Sequence, residues 1–258
     1  MSVLSLVDLI GFEVGFDEQN ERLDYDPQRV SCAGISTVKL SDIPVLLNKA
    51  LRYPETVYSC YSGISPCGGN VSWPEGYSYD VSVIPVGLLG IEFVKTHVHE
   101  TDDAKQGKAS VVQVLNGDVT LLMQRNLPKK DIFDIDTRVE RVIVADLRAG
   151  DKLAIPTGYM YTFINAGTRP AVFGRTFRRE HIIDYKKRLQ RENGLAYYVI
   201  AKNARKELVA NPRYRNIPAP EQPELAEINR MANYEPENET GLFEEVCGSR
   251  YKFSDMWS

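Results

Sequence analysis

A chain of 258 residues fits one large domain, or a barrel with additions, and is long enough to bury a full core. Its composition, 43% hydrophobic and 26% charged residues, is ordinary for a soluble globular protein. The net charge of −4 gives no reason to expect nucleic acid or an anionic membrane as a partner.

The N-terminus and the cysteines indicate a cytoplasmic protein. The apolar start MSVLSLVDLIGF is interrupted by Asp8 and lacks a basic flank and a cleavage site. We therefore expect neither a signal peptide nor a membrane span. The four cysteines form no CxxC pair and are interpreted as reduced thiols, without a disulfide between Cys60 and Cys67.

The first part of the chain predicts a helix and then a loop. SDIPVLLNKALRY (41–53) has a Ser or Asp before an apolar run with helical spacing, which is typical of a short helix. SGISPCGGNVSWPEGYS (62–78) is rich in Gly, Pro and Ser, which predicts a loop.

The middle of the chain consists of short segments dense in β-branched and aromatic residues. They are YDVSVIPVG, IEFVKTHVH, SVVQVLNGDVTLLMQ, ERVIVADLRAGDKLAIP, YTFINAG and PAVFGRTF. Residues 116–118 (NGD) and 148–151 (RAGD) predict tight hairpin turns. Many short strands joined by such turns favour a closed all-β barrel or jelly roll over an α/β sheet.

The periodicity changes from His181 onward. EHIIDYKKRLQREN predicts a helix that ends at Asn193 and Gly194, and LAYYVIAK and KELVA predict one further strand pair. From Asn211 onward, prolines surround a short helical run, ELAEINRMA. We expect an extended C-terminal arm, packed over the barrel or onto a partner subunit.

A pair of histidines stands in VKTHVHET. His97 and His99 are spaced i and i+2, so on a strand they project from one face and could offer two imidazoles to one metal. A chance pair of exposed imidazoles is the alternative. Lys95 has the same parity and is expected to point inward, where a lysine usually serves an anion or a Schiff base. The alternative is a bulged strand with a solvated Lys95.

A second motif begins at Gly150. In GDKLAIPTGYMYTFINAG the marked positions are Gly150, Pro156, Gly158, Tyr161 and Asn165. This pattern resembles the second motif of a cupin barrel in every marked position but one. Tyr161 stands where a metal-binding histidine is normal.

Together with these motifs, several segments resemble the cupin-type phosphoglucose isomerases of archaea and some bacteria. They are GFEVGFDEQNERLDY, YDVSVIPVGLLGIEFVKTHVH, the DY pair at 184–185 and AYYVIAKNARKELVANPRY. The resemblance covers roughly residues 11–216. It implies a cupin barrel, usually dimeric, that interconverts glucose 6-phosphate and fructose 6-phosphate with a bound divalent metal.

The resemblance also implies roles for single residues. His97 and His99 match the first two metal ligands of the family. The third ligand, a Glu, falls on Ser110, and the fourth, a His, falls on Tyr161. Thr96 replaces a glycine at the family's phosphate-binding turn.

The substituted ligands leave the general base open, because an enediol isomerisation needs a base tuned near neutrality and a free hydroxyl at Ser110 is too weak. The acidic loop residues Glu100, Asp102 and Asp103 could replace it, or could simply be solvated. Tyr161 could ligate a metal as a phenolate, act as an acid–base group, or fill the vacated space.

Two further groups lie near the last barrel strand. FGRTFRRE places Arg175, Arg178 and Arg179 together, which suits phosphate or carboxylate recognition but is also typical of a solvated strand edge. His181, at a helix start, is either a distant ligand or acid–base group or a structural residue.

The predicted fold is all-β, a cupin barrel (double-stranded β-helix or jelly roll) with a few short flanking helices. N-terminal strands, a short helix and a loop (1–78) pack on the barrel core (79–180). A helix and closing strands (181–216) follow, and a Pro-rich arm (217–258) ends the chain.

The predicted function is a cytoplasmic, homodimeric isomerase that acts on a phosphorylated sugar or a similar polar anion. A divalent metal (Fe, Mn, Ni or Zn) is expected as cofactor, and neither nucleic acid nor a membrane is expected as a partner. An epimerase, a lyase, an Fe(II) oxygenase or a metal-free small-molecule-binding cupin are the alternatives. The predicted site residues are His97, His99 and Tyr161 for the metal, Tyr161 and Lys95 for catalysis, and Thr96, Arg175 and Tyr185 for the substrate.

Overall fold

The computed structural model describes residues 3–40, 43, 56–68, 76–100, 110–127, 138–178, 192–203, 205–237 and 239–248. Within these residues the helices are α1 (Val7–Ile10), α2 (Leu225–Met231) and α3 (Leu242–Gly248). The strands are β1 (Val3–Ser5), β2 (Gly15–Asp17), β3 (Arg22–Asp24), β4 (Val30–Ser31), β5 (Gly34–Val38), β6 (Tyr58–Ser62), β7 (Ser65–Pro66), β8 (Tyr77–Ile84), β9 (Leu88–Leu89), β10 (Glu92–Lys95), β11 (His99–Glu100), β12 (Ser110–Asn116), β13 (Asp118–Asn126), β14 (Val139–Arg148), β15 (Lys152–Ile155), β16 (Tyr159–Asn165), β17 (Ala171–Arg178), β18 (Tyr197–Lys202) and β19 (Arg205–Ala210).

Two antiparallel sheets enclose the barrel interior. One sheet has the order β14-β13-β16-β10-β18-β19, with β11 paired to β16 and β9 to β10. The other has the order β15-β12-β17-β8-β6-β5. Leu121 and Phe163 of the first sheet pack against Val112 and Phe173 of the second in one buried cluster. The predicted all-β class is therefore confirmed.

The turn at Gly117 joins strands of opposite sheets. β12 pairs with β15 and β17, whereas β13 pairs with β14 and β16. The hairpin predicted at 116–118 is therefore wrong, and so is the one predicted at 148–151, which leads from β14 to β15 in the other sheet. A Gly-containing turn is a local signal, and it does not determine whether the strands on its two sides pair with each other.

The N-terminal elements cover the outer face of the second sheet. β1, β2 and β3 form a small sheet of their own, and α1 lies close to α3. Leu6, Ile10 and Phe16 pack with Val111 of β12 and Phe243 of α3 in a second buried cluster. The side chains of the barrel strands thus alternate between two apolar surroundings, the interior and this outer layer.

The segment after β19 runs back over the barrel. Glu221 forms backbone hydrogen bonds with β14, and α2 contacts β15. The Asn229 side chain accepts a hydrogen bond from the Ala154 amide (2.8 Å) and donates one to the Lys152 carbonyl (3.2 Å). The predicted helical run at 224–232 is confirmed as α2, and the predicted strand pair is confirmed as β18 and β19.

Several sequence predictions lie outside the described residues. They include nearly all of the helix at 41–53 and of the helix that begins at His181. In the part of the chain that the structure describes, no helix is both long and apolar enough to cross a membrane.

Candidate functional site

The two histidines follow a β-bulge between β10 and β11. Lys95 lies opposite Ile164 of β16, and His99 lies opposite Tyr161 of the same strand. Between these two pairs the chain advances four residues on the side of Lys95 and His99, but only three on the side of β16, so one residue is extra. The additional residue reverses the alternation of side chains, so His99 faces the interior with Tyr161 whereas Lys95 faces the outside with Ile164.

The predicted inward direction of Lys95 is therefore wrong. Its ammonium group forms an ion pair with the buried carboxylate of Glu92 and lies 5.3 Å from the centre of the Tyr198 ring. Lys95 is only 8% exposed, so the alternative of a solvated lysine is not observed either. The pair lies where β10 and β18 meet, away from the histidines.

Thr96 stabilises the bulge. Its hydroxyl donates to the His97 carbonyl (2.9 Å) and accepts from the Phe163 amide (3.1 Å). It also lies 3.3 Å from the Thr162 hydroxyl. With 1% of its surface exposed, Thr96 does not offer the substrate contact that the sequence predicted for it.

The imidazoles of His97 and His99 lie side by side in the interior. Their ring centres are 4.1 Å apart, and the ring of Tyr161 stacks on His99 with a centre-to-centre distance of 5.3 Å. The hydroxyl of Tyr58, which begins β6, is hydrogen-bonded to Nδ1 of His97. The structure thus brings three of the predicted site residues together and adds Tyr58.

Arg175 reaches this group from the facing sheet. Its Nη1 lies 3.0 Å from Nδ1 of His99 and donates a hydrogen bond to the Tyr161 hydroxyl (3.2 Å). Asp80 of β8 is its register partner. The guanidinium is half-buried and lies over the Phe177 ring, at 4.3 Å from its centre.

The pKa values follow from this arrangement. Burial, together with the charges of His97 and Arg175, lowers the pKa of His99 well below its usual value, so the imidazole is neutral at pH 7. Burial opposes the charged form of Arg175, but Tyr161 and Asp80 outweigh it and raise the pKa of the guanidinium. The site therefore combines a fixed cation with a neutral imidazole.

A family model for glucose-6-phosphate isomerase (GPI) matches residues 50–215, more than half of the chain, and includes every site residue described above. The chain belongs to the glucose-6-phosphate isomerase family. The predicted resemblance is confirmed, and with the two facing sheets the fold is the predicted cupin barrel.

Solved structures similar to this isomerase-family chain include the cupin domain of Cnp3 from Schizosaccharomyces pombe, with 11% identity over 52% of this chain and 72% of that chain (TM-score 0.30). A cupin 2 conserved barrel domain protein from Rhodopseudomonas palustris is 12% identical over 49% of this chain and 63% of that chain (TM-score 0.31). Peruvianin-I, a cysteine peptidase from Thevetia peruviana latex, is 19% identical over 40% of this chain and 50% of that chain (TM-score 0.26). The match thus spans half the length of peruvianin-I. No curated protein matches the chain.

In this family member, Arg175 determines the tautomer of His99. A guanidinium has only donors, so Nδ1 of His99 must accept the hydrogen bond. The imidazole is neutral, and its single proton is therefore on Nε2. His97 differs, because its Nδ1 faces a hydroxyl that can either donate or accept.

The metal site implied by the resemblance does not fit these residues. Nε2 of His99 carries a proton and its Nδ1 accepts from Arg175, so neither nitrogen offers a lone pair to a metal. The hydroxyl of Ser110, at the family's Glu position, donates to the Thr176 carbonyl (3.2 Å). Across the described ranges, no three His, Cys, Asp or Glu side chains are grouped so as to hold a metal. His97, His99 and Tyr161 thus lie together, but the hydrogen bonds of His99 and Tyr161 to Arg175 do not suit the predicted ligand set.

The remaining sequence candidates cannot be placed relative to the site. They lie outside the described residues, or, for Glu100 and Arg178, their side chains do. These candidates are Glu100, Asp102, Asp103, Arg178, Arg179, His181 and Tyr185.

Tyr58 and Asp80 are the site residues that sequence reasoning missed. Both belong to strands that follow one another in the second sheet, where β6 pairs with β8 and β8 with β17. The segment that contains Asp80 predicts a strand and resembles the family, but no pattern there marks Asp80 as a site residue, and none marks Tyr58. A long-range strand pairing is what brings them to the histidines and to Arg175.

A cavity of about 890 Å³ lies elsewhere in this isomerase-family chain. It opens between the outer face of β15 and the segment after α2, and residues such as Lys152, Asn229 and Glu237 line it. None of the lining residues belongs to the group around the histidines.

Proposed function

We propose that this chain catalyses the aldose–ketose isomerisation of a phosphorylated sugar by proton transfer inside the barrel. The observation that carries the proposal is the pair of imidazoles, 4.1 Å apart beside Tyr161, in a chain of the glucose-6-phosphate isomerase family. An enediol mechanism needs a base for the carbon-bound proton and donors for the two substrate oxygens.

His97 is the general base of this proposal. The hydrogen bond between Tyr58 and Nδ1 holds the ring in one orientation. With the Nδ1 proton donated to the Tyr58 oxygen, Nε2 has the lone pair that takes a proton from one sugar carbon and returns it to the next. The acidic residue that the family uses is then not required, which is consistent with Ser110 at its position.

His99 and Tyr161 donate to the substrate oxygens. The proton of His99 is on Nε2, which therefore serves as a neutral donor. The Tyr161 hydroxyl accepts from Arg175, so its own proton is available for a second oxygen. A neutral imidazole and a phenol can both stabilise the oxygen on which charge develops in the enediol step.

An assay on sugar phosphates tests the proposal. The interconversion of glucose 6-phosphate and fructose 6-phosphate, and of other aldose and ketose phosphates, is measured in D₂O by NMR. Solvent deuterium is expected at the carbon next to the carbonyl. A His97→Gln variant is expected to lose about 10²–10⁴-fold in kcat with little change in KM, since it keeps the volume but not the base.

A milder variant probes the orientation of His97. Tyr58→Phe removes one hydrogen bond, which contributes about 1 kcal/mol, so kcat is expected to fall roughly fivefold. Tyr197→Phe is the matched control, because its hydroxyl donates to the Pro218 carbonyl on the outside of the barrel. Turnover that is unaffected by His97→Gln would refute the assignment of the base.

A metal-free cupin that binds a sugar phosphate without converting it is the second candidate. The fixed hydrogen bond of Ser110 favours it, because this hydroxyl stands in the place of the family's acid. Saturable binding of sugar phosphates in calorimetry, without turnover or deuterium exchange, would identify this function. Epimerase, lyase and Fe(II) oxygenase chemistry, homodimer formation and a cytoplasmic location stay predictions.

A further inference from the structure

We propose that the guanidinium of Arg175 supplies the central positive charge that the resemblance assigns to a divalent cation, so that the barrel binds an anionic oxygen of its ligand without a metal. The sugar as ligand rests on the proposed function. The exchange of cation for guanidinium does not depend on that function, since it rests on the geometry of Arg175 and on the residues at the family's ligand positions.

The position of Arg175 is central. It lies on β17, with Val112 of β12 on one side and Asp80 of β8 on the other as register partners. Its hydrogen bonds to His99 and Tyr161 connect the two sheets across the interior. The guanidinium thus lies between the sheets, beside the imidazoles, where the two family ligand positions 99 and 161 converge.

Three of the four family ligand positions are changed or occupied. His99 accepts from Arg175 through Nδ1, and Tyr161 accepts from it through the hydroxyl oxygen. Ser110 brings no charge, and its hydroxyl donates to a backbone carbonyl. A divalent cation at these positions would lie beside the half-buried guanidinium, and like charges repel each other more strongly there than in bulk water.

The same changes make the site suitable for an anion. The family's Glu is replaced by Ser110, which removes a negative charge, while Arg175 adds a half-buried positive one. The guanidinium is charged at any working pH, and its register partner Asp80 is bonded to the Gly63 amide (2.9 Å) and the Ser78 hydroxyl (2.6 Å). Fixed donors of this kind stabilise an oxyanion without reorganisation. The ligand class is a sugar derivative with an anionic oxygen, such as an enediolate or an aldonate.

Metal binding by the whole chain is the first test. Purified protein is loaded with Mn²⁺, Ni²⁺, Zn²⁺ or anaerobic Fe²⁺, desalted and analysed for metal. Far less than one equivalent per chain is expected for the wild type. The variant Ser110→Glu, Tyr161→His, Arg175→Met restores the family's ligands and removes the guanidinium, and it is expected to bind about one equivalent. The double variant Ser110→Glu, Tyr161→His, which keeps Arg175, is expected to bind the metal at least tenfold more weakly.

Anion binding is the second test, with a phosphorylated aldonic acid as the probe. Calorimetry in the presence of EDTA is expected to show binding to the wild type, at least a tenfold loss for Arg175→Met and a smaller loss for Arg175→Lys. Arg148→Met, at the exposed last residue of β14, is the control and is expected to bind like the wild type. Thermal melting verifies that each variant is folded.

The outcomes separate the two proposals. Three results would each overturn the role of Arg175. The first is one equivalent of metal in the wild type that is lost in His99→Ala. The others are aldonate binding that EDTA abolishes and aldonate binding that is unchanged in Arg175→Met. Metal-independent aldonate binding through Arg175, in a protein that converts no sugar phosphate, would support that role and refute the isomerase. Isomerase activity that requires a metal would support the isomerase and refute the role of Arg175.

Discussion

At the scale of single residues, the site depends on which atoms already have hydrogen-bond partners. His97 and His99 have the same side chain and both face the barrel interior, yet Nδ1 of His97 is bonded to a hydroxyl and Nδ1 of His99 to a guanidinium. The guanidinium makes one imidazole a donor through Nε2, while the hydroxyl allows the other to be a base. Two histidines that look alike in the sequence therefore have different proposed roles, one as a hydrogen-bond donor and the other as a base.

The lowered pKa of His99 predicts a loss of stability in mild acid. An unfolded histidine has a pKa near 6.5, whereas in the folded chain burial and the charges of His97 and Arg175 lower the value. Between the two values the unfolded chain binds one proton more, so the free energy of unfolding falls as the pH falls below about 6.5. The slope from this group is at most about 1.4 kcal/mol per pH unit.

Urea unfolding of the wild type and of His99→Gln between pH 7.5 and pH 5 measures this effect. The variant removes the titrating group, so its stability is expected to change less with pH over this window. Equal slopes in the two proteins would contradict the assignment.

At the scale of elements, one bulge and one turn determine the shape of the site. The bulge after β10 directs Lys95 outward and His99 inward, and the turn at Gly117 sends the chain from one sheet to the other. Both effects come from a few residues, and both can be tested by a single substitution.

Thr96→Val removes the hydroxyl that holds the bulge and keeps the shape of the side chain. The buried Phe163 amide then loses its partner, whereas the Thr162 hydroxyl keeps its hydrogen bond to the Thr96 carbonyl (2.9 Å), so a destabilisation of about 1–3 kcal/mol is expected from the amide. Thr37→Val, on the exposed strand β5, is the control and is expected to change little. Denaturant unfolding measures both, and equal stabilities would show that the hydroxyl is dispensable.

Gly117→Ala tests the turn between the sheets. Gly117 has φ of +71°, and a Cβ there would lie 2.7 Å from the Pro170 carbonyl oxygen. The left-handed backbone conformation and the close contact with the carbonyl both oppose a Cβ, so the free energy of unfolding is expected to fall by more than about 1 kcal/mol. Gly34→Ala is the matched control, since its Cβ would meet nothing within 4 Å. A shift of the unfolding midpoint that is the same for both variants would contradict the prediction.

At the scale of the whole molecule, a buried ion pair connects the C-terminal segment to the barrel. Lys152 of β15 donates to Glu245 of α3 (2.7 Å) and to the Glu237 carbonyl (2.6 Å). The Tyr234 hydroxyl donates to the same carboxylate (3.1 Å), and burial and Glu245 raise the pKa of Tyr234. The outer layer is thus held by polar contacts as well as by the apolar cluster around Phe243.

Lys152→Met is expected to destabilise the chain by about 3–5 kcal/mol, because it leaves a buried carboxylate at Glu245 without its cation. Adding Glu245→Leu is expected to restore much of the loss, since the unpaired charge is then removed too. Lys202→Met is the control, because the pair of Lys202 with Glu207 is exposed and such pairs contribute about 0–1 kcal/mol. Equal effects of the two lysine substitutions, measured by denaturant unfolding, would refute the anchoring role of Lys152.

The amino-acid sequence by itself determined the strand-rich barrel, the last strand pair, the helix in the C-terminal segment and the grouping of His97, His99 and Tyr161. These features follow from local patterns, since alternation, turn residues and motif spacing act over a few neighbouring positions. The family resemblance rests on the same short segments.

Only the tertiary structure decided the rest. The bulge reversed Lys95, the strand order turned two predicted hairpins into connections between sheets, and the pairing of β6, β8 and β17 brought Tyr58 and Arg175 to the histidines. Each of these depends on the register between strands that are distant in the chain. A shift of one residue reverses the face of a side chain without any change in the local pattern, so the sequence pattern could not reveal it.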